Sequence, residues 1–154
     1  MSIAPFDLSR FLDAQARVYP DLLDELMAGR KRSHWIWFVF PQLATLGRST
    51  TARFYGLEGT AHARAYGEHP VLGERLRECS ALVLAVKGRT ANQVMGSPDD
   101  LKLCSCMTLF ELALPEEPLF RTVLQHFYGG VRDGLTLAQL QEAAEPGLPR
   151  VPRS

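Results

Sequence analysis

The chain has 154 residues, 46% of them hydrophobic and 22% charged, which is ordinary for one globular domain and excludes wholesale disorder. Lysine plus arginine and aspartate plus glutamate number 17 each, so no net charge favours nucleic acid or an anionic membrane as a partner. The three cysteines lack paired spacing, no signal peptide is visible, and no apolar run reaches the roughly 20 residues of a membrane span. We therefore expect a cytoplasmic protein with reduced thiols.

In the first third of the chain, proline and glycine divide two predicted helices. The first begins with Asp7 as N-cap and ends at Pro20. The second begins at Pro20 and ends at Gly29, which adopts a left-handed cap without steric cost. Further on, Ser49 is positioned to cap a short helix that carries Phe54.

An aromatic segment, residues 33–43, contains both tryptophans of the protein. It is apolar on every face, so neither strand alternation nor a helical stripe describes it, and it must be buried on several sides. A strand suits its residue propensities, but no second strand is evident to pair with it. The segment is either a central core element or one wall of a ligand pocket, since pockets combine apolar walls with a few polar groups. The basic run before it, residues 30–32, is typical of a solvated turn, and the alternative is an anion contact.

The second half of the chain carries the clearer helical patterns. Pro70 begins a helix that ends near Gly88 and has one apolar stripe, formed by Leu72, Leu76, Cys79, Val83 and Val86. A longer helix begins at Ser97, Pro98 and Asp100, where Ser97 and Asp100 make a capping box. This helix is apolar nearly all round, so it belongs in the centre of the fold.

Two further helices complete the predicted fold. One runs from Pro118 to Gly129, and a last short helix is capped by Thr136 with Gln139. We predict an all-α, mainly helical single domain of about six to eight helices over residues 1–145. The remaining residues, 146–154, are rich in proline and predict a flexible tail.

The start of the central helix carries three charged residues, Asp99, Asp100 and Lys102. Their presence there has two competing explanations, one structural and one chemical. Carboxylates there are favoured by exposed amides and the helix dipole, by about 0.3–1 kcal/mol each, without any function. Helix starts also hold anions, and a desolvated lysine can act as a nucleophilic amine. We assign Lys102, Asp100 and His34 as candidate catalytic residues; the alternative for His34 is a hydrogen-bonded core residue.

The candidate ligand-binding residues lie in the aromatic segment and near it. They are Trp35, Trp37, Gln42, Ser49, Asp99 and Ser105. Ser105 lacks the elbow of a serine hydrolase, so a packing role competes with ligand contact. His62 and His126 are predicted on surface faces. No ligand spacing matches a metal site, and the glycines match neither a P-loop nor a dinucleotide fingerprint, so we predict no metal and no cofactor.

Several motifs resemble one uncharacterised family, domain of unknown function 1810. They are SHWIWFVFPQ at residues 33–42, HPVL at 69–72, SPDDLKL at 97–103 and MTLF at 107–110. The similarity runs from about Phe6 to about Leu140, and it implies a mainly helical domain without an established activity. Some members carry an automatic label, calpastatin, but calpastatins are disordered inhibitors with repeats, and this chain has no repeat.

A shorter similarity is to NAD- and ADP-ribose-associated (NADAR-type) domains, which also place an HPxL helix before a glycine-containing turn. Their nucleophile and acid residues do not map cleanly onto this chain, so none is transferred. The similarity implies a nucleotide or ADP-ribose derivative that is cleaved without metal. The competing function is a non-catalytic module that binds a nucleotide, a peptide or a partner protein. Convergence of His34, Asp100 and Lys102 beside a tryptophan would favour the enzyme.

Overall fold

The computed structural model describes residues 6–144, which are largely helical. The helices are α1 (Ser9–Met27), α2 (Ile36–Val39), α3 (Thr50–Phe54), α4 (Thr60–Glu68), α5 (Leu72–Ala85), α6 (Ala91–Met95), α7 (Asp99–Ala113), α8 (Leu119–Tyr128) and α9 (Gly134–Ala144). Strand pairing within the described residues is limited to one isolated bridge between Leu43 and Leu57. The all-α prediction is confirmed. The described residues hold more helices than predicted because α2, α3 and α6 are only four or five residues long. The predicted tail, 146–154, lies outside them.

A single helix, α1, replaces the two helices predicted on either side of Pro20. Proline inside a helix removes one backbone hydrogen bond and clashes with the preceding turn. Here Phe11, Leu22 and Leu26, which flank the proline on both sides, are fully buried. Their burial offsets the cost of the proline, so the boundary predicted from its local preference is wrong.

The predicted caps of the first helices have different outcomes. Gly29 follows α1 with a φ of +74°, and Ser49 accepts a hydrogen bond from a backbone amide of α3 at 3.0 Å, both as predicted. Asp7 is not the N-cap of α1, because the helix begins one residue later, after Leu8. Its carboxylate still accepts a hydrogen bond from the Ser9 amide at 2.9 Å.

The two predicted capping boxes of the later helices are wrong. Ser97 does not cap α7, because the amide of Asp100 donates instead to the carbonyl oxygen of Gly96 at 2.8 Å. In α9 the cap is Asp133, whose carboxylate accepts hydrogen bonds from the amide and the hydroxyl of Thr136 at 3.0 and 2.5 Å. Thr136 is therefore the donor in this motif and not the cap.

Helix α7 lies in the centre of the fold, as its sequence predicted, and packs against α4, α6, α8 and α9. Its fully buried side chains include Leu103, Cys106, Met107, Leu109 and Phe110. Leu101 and Leu112 are exposed instead. Although α7 is strongly apolar, neither it nor any other helix within residues 6–144 is long and apolar enough to span a membrane.

A buried hydrogen-bond network fixes the aromatic segment against three helices. Nε2 of Gln15 in α1 donates to the Phe38 carbonyl oxygen at 2.7 Å. The Tyr66 hydroxyl of α4 donates to the same oxygen at 3.0 Å, and Arg75 of α5 lies 3.3 Å from Oε1 of Gln15. Buried polar groups are costly unless they are paired. The network therefore sets the position of α2.

Candidate functional site

Glu25 of α1 organises the residues that lead into α2. Its carboxylate accepts hydrogen bonds from the backbone amides of Arg32 and Ser33 at 2.7 and 3.0 Å. It also accepts from the Ser33 hydroxyl at 2.5 Å and the Trp35 indole at 3.0 Å. Burial opposes the ionisation of Glu25, but these hydrogen bonds outweigh it and lower the pKa of the carboxyl group to about 2.

Replacing Glu25 by glutamine is expected to lower the free energy of unfolding at neutral pH by about 2 kcal/mol, because an amide cannot replace a carboxylate that only accepts. The pKa of Glu25 is lowered from 4.5 to about 2 by folding. Its stabilisation is therefore fully present above the unfolded pKa and is lost as the pH falls toward 2. Urea unfolding should show that the free energies of unfolding of wild type and Glu25→Gln differ most above about pH 5 and become equal at lower pH.

Glu74→Gln is the control for this pH profile, because Glu74 is exposed and forms no ion pair within the described residues. It should follow the wild-type profile throughout. A difference between wild type and Glu25→Gln that stays constant as the pH falls would contradict the ionised, hydrogen-bonded state assigned to Glu25.

Lys31 and Asp99 join this segment to the start of α7. The Lys31 ammonium lies 2.7 Å from a carboxylate oxygen of Asp99, and its side chain is only 5% exposed. The same ammonium donates to the carbonyl oxygen of Ser33 and lies 5.0 Å from the centre of the Trp35 ring. The solvated turn predicted at residues 30–32 is therefore wrong for Lys31, whose side chain is covered and paired with Asp99.

Lys102 lies beside the aromatic segment and next to the same aspartate. Its ammonium is 5.4 Å from the centre of the Trp37 ring and 3.9 Å from Asp99. Trp37 is half-buried, and its indole Nε1 is a buried donor with no acceptor within the described residues. The exposed ring of His34 lies 6.4 Å from the Trp37 ring. We refer to Lys31, His34, Trp37, Asp99 and Lys102 as the Lys102 cluster.

Asp100 is next to this cluster in sequence but makes different contacts. One carboxylate oxygen lies 3.4 Å from the side-chain amide of Asn92, and the other is buried with no partner within residues 6–144. Its backbone oxygen accepts a hydrogen bond from the Tyr128 hydroxyl at 2.6 Å. Lys102 approaches Asp99 and forms no ion pair with Asp100 within the described residues. The structure thus places His34 and Lys102 each near the Trp37 ring, at 6.4 and 5.4 Å from its centre, but directs Asp100 toward α6.

The other predicted ligand contacts have different surroundings. Trp35 is 1% exposed, and its indole nitrogen is already hydrogen-bonded. Ser49 caps α3, and the Ser105 hydroxyl lies 3.1 Å from a carbonyl oxygen of α7 and 3.1 Å from the Asp133 carboxylate. The Gln42 side chain is half-buried and makes no hydrogen bond within the described residues. Trp35, Ser49 and Ser105 therefore have structural partners of their own.

His62, which was predicted on a surface face, is 2% exposed. Its Nδ1 accepts a hydrogen bond from the Glu58 amide at 3.0 Å, and its ring stacks on Phe6 with 4.3 Å between the ring centres. Burial, followed by the nearby positive charge of Arg10, lowers the pKa of His62. The surface prediction is wrong because His62 and Tyr66 share the face of α4 that packs inward.

Burial disfavours the thiolate form of the three cysteine side chains. Cys79, Cys104 and Cys106 are free. Burial raises the pKa of Cys79 to about 12 and that of Cys104 to about 11, and it raises the pKa of Cys106 as well. No group of three or more histidine, cysteine, aspartate or glutamate side chains among the described residues could hold a metal ion.

Sequence analysis missed the contacts of Glu25 with the aromatic segment and the pairing of Lys31 with Asp99 inside the cluster. No local pattern connects Glu25 to the aromatic segment, because the two meet only after α1 turns back at Gly29. Lys31 gave one signal. It is a lysine directly before the largest aromatic run of the chain, where its ammonium can lie over an indole ring.

Comparisons with known proteins agree with the fold. Over residues 5–140 the chain matches a family described as "Protein of unknown function (DUF1810)". It is similar to a solved structure, the conserved hypothetical protein Rv1873 from Mycobacterium tuberculosis, with 51% sequence identity and a TM-score of 0.88. The similarity covers 90% of this chain and 99% of that chain. No curated protein matches. The matched range includes every residue of the Lys102 cluster.

Proposed function

The chain belongs to the DUF1810 family of proteins of unknown function, and we propose that it binds a small anionic molecule of nucleotide type at the Lys102 cluster. The observation that carries the proposal is the Lys102 ammonium, which lies 5.4 Å from the centre of the Trp37 ring and whose one ion pair within residues 6–144 is a 3.9 Å contact with Asp99. A phosphate or carboxylate can pair with this ammonium, and a flat base can pack against the indole. Both contacts in one place suit a nucleotide, the ligand class implied by the similarity to NADAR-type domains.

The charge of the cluster also favours an anion. Two ammonium groups, of Lys31 and Lys102, lie around one carboxylate, so the cluster has an excess of one positive charge. The start of α7 adds the partial positive charge of a helix N-terminus. Nε1 of Trp37 is a further donor, buried and without an acceptor in the part of the chain that the structure describes. Asp100, at the same helix start, contacts Asn92 instead of either lysine.

Replacing Lys102 by methionine is expected to abolish ligand binding and to leave the fold intact. The probes are AMP, NAD and ADP-ribose, and a probe that binds only the folded protein raises its melting temperature. Because Lys102 is partly exposed and has one long ion pair, its loss should change the free energy of unfolding by no more than about 1 kcal/mol. The measurement is the thermal shift of wild type and variant at equal probe concentration, confirmed by calorimetric titration.

Lys87→Met is the matched control for this experiment. Lys87 is exposed and lies outside the cluster, so its loss removes the same charge and should leave the thermal shift unchanged. If Lys102→Met unfolds the protein, Lys102 is a structural residue and the proposal fails. Wild-type protein that binds none of the three probes, or a Lys102→Met variant that binds them normally, would also refute it.

Hydrolysis of the bound nucleotide or ADP-ribose derivative without metal is a second candidate function, favoured by one observation. The exposed imidazole of His34 lies 6.4 Å from the Trp37 ring, near a ligand held by Lys102, and histidine is the commonest general acid or base. Asp100 stays a catalytic candidate because one of its carboxylate oxygens has no partner among residues 6–144, although the other lies beside Asn92. The contacts of Ser105 are structural, because its hydroxyl lies 3.1 Å from the Leu101 carbonyl oxygen and 3.1 Å from the carboxylate of Asp133, the cap of α9. Formation of products from ADP-ribose by the wild-type protein would distinguish this function from binding alone.

The same proposal includes a cytoplasmic location and a small-molecule partner. The three cysteines are free thiols, which is typical of proteins in a reducing compartment. Equal numbers of basic and acidic residues, 17 each, favour a small anion over nucleic acid. A nucleotide-type metabolite is a small anion and is present in a reducing compartment, so it agrees with both observations.

A further inference from the structure

A cleft of about 360 Å³ lies between α1 and the end of α3. One wall is a face of α1 between Arg10 and Val18, and the other wall is formed by Phe38, Phe54 and Tyr55. The volume lies in the range of sites that hold small organic ligands. No residue of the Lys102 cluster lines this cleft, so the two are separate features of the surface.

Arg10 lines the cleft, and part of its guanidinium has no acceptor within the described residues. Its Nη1 donates to the carbonyl oxygen of Asp7 at 2.7 Å, and its guanidinium lies 4.7 Å from the centre of the Phe11 ring. Its Nε is a buried donor, and neither Nε nor Nη2 has an acceptor within the described residues. In Arg132 the same two nitrogens hold the carboxylate of Glu111 at 2.6 and 2.8 Å. Nε and Nη2 of Arg10 thus form the kind of edge that binds a carboxylate through two hydrogen bonds, but no carboxylate within the described residues occupies it.

The cleft carries an excess of one positive charge. Arg17 is exposed and forms neither an ion pair nor a side-chain hydrogen bond within the described residues. Asp13, which also lines the cleft, forms no ion pair in the same part of the chain. Two unpaired arginines against one aspartate favour a monoanion as the ligand.

The facing wall suits a flat apolar body. The Phe38 and Tyr55 ring centres are 5.2 Å apart, and those of Tyr55 and Phe54 are 4.8 Å apart, so the three inclined rings contact one another in turn. Phe54 is 57% exposed at the rim of this wall. Contact between two aromatic rings contributes free energy beyond that expected from the apolar area that the rings bury. A ligand ring in the cleft would therefore gain contacts with this wall.

We infer that this cleft is a second binding site, for a small aromatic carboxylate. The carboxylate pairs with the Nε–Nη2 edge of Arg10, Arg17 adds charge at the rim, and the ring packs against Tyr55 and Phe54. The carboxylate supplies the acceptor that the buried Nε of Arg10 lacks. The site is independent of the proposed nucleotide site, because the two share no lining residue.

The test is an amide NMR titration of the full chain with benzoate, with benzyl alcohol and acetate as matched probes. Benzoate should shift the amide signals of cleft residues such as Ala14, Val18 and Tyr55, with a Kd on the order of 1 mM or tighter. Benzyl alcohol lacks the charge and acetate lacks the ring, so each should bind roughly tenfold more weakly. Equal binding of benzyl alcohol, or shifts confined to residues outside the cleft, would overturn the inference.

Two variants and one control separate the site from nonspecific effects. Arg10→Lys keeps the charge but loses the bidentate edge, and Arg17→Gln removes an exposed charge whose loss leaves the fold intact. Each should weaken benzoate binding, Arg10→Lys by roughly tenfold. Arg53→Gln removes an exposed arginine that does not line the cleft. Its Kd for benzoate should lie within about twofold of the wild-type value. If Arg10→Lys and Arg17→Gln both bind benzoate with wild-type affinity, the site is refuted. Lys102→Met should bind benzoate with wild-type affinity whether or not the nucleotide proposal holds.

Discussion

Replacing Trp35 by alanine is expected to lower the free energy of unfolding by about 3–5 kcal/mol, a large part of the total for a domain of this size. Trp35 is 1% exposed, and its ring lies 6.1 Å from that of Phe40. Its indole also donates to the Glu25 carboxylate at 3.0 Å. The substitution removes both contacts and leaves a cavity that the surrounding helices can fill only in part. Urea unfolding of wild type and variant measures the loss.

Trp37→Ala is the matched control, since it removes the same side chain two positions along the segment. Sequence alone predicts a large loss here too, because the segment is apolar on every face. In the structure Trp37 is half-buried, and its indole nitrogen has no acceptor within the described residues, so the loss of stability should be smaller. An equal loss for both variants would make Trp37 a core residue and would weaken the case for the Lys102 cluster.

Gly73→Ala is expected to destabilise the fold by roughly 3 kcal/mol or more. A Cβ atom at Gly73 would lie 2.1 Å from the carbonyl oxygen of Gly67. The obstacle is backbone, which cannot rotate away, and Nη1 of Arg77 holds this carbonyl oxygen at 2.8 Å. The C-terminal end of α4 and the N-terminal end of α5 would have to move apart. The clash outweighs the gain of about 0.5–1 kcal/mol that alanine normally brings to a helix.

Gly134→Ala provides the comparison for this second variant. Gly134 begins α9, and a Cβ atom there would meet no atom within 4 Å. We expect it to melt at the wild-type temperature or slightly above. If Gly73→Ala also melts like wild type, α4 and α5 do not approach as closely as the structure has them.

The helices that the sequence predicted best are those whose signals are local. The apolar stripe of α5 repeats at helical spacing, and its residues Leu72, Leu76, Cys79 and Val83 are all buried. Gly29 and Gly129 end α1 and α8 with positive φ angles, which glycine adopts without a steric penalty. These features depend on neighbours within one or two turns, so a pattern along the chain is sufficient to find them.

The errors occurred where a distant contact overrode a local preference. Pro20 lies inside α1 because buried residues on both sides hold the helix together. Helix α6 was not predicted, although Thr90 and Gln93 form its capping box. Five residues are too few to show a helical period, and α6 is fixed by its packing against α7.

The sequence by itself determined that the protein is an all-α domain with a central apolar helix, and it suggested that Lys102 and the aromatic segment belong together. Only the tertiary structure decided that Lys102 approaches Trp37, that Glu25 and Lys31 support this segment, and that the cleft wall of Phe54 and Tyr55 faces α1. The reason is physical. Helical period and caps are encoded in adjacent turns, whereas the side chains of a site come from α1, α2, α3 and α7 and meet only when those helices bury their apolar faces together.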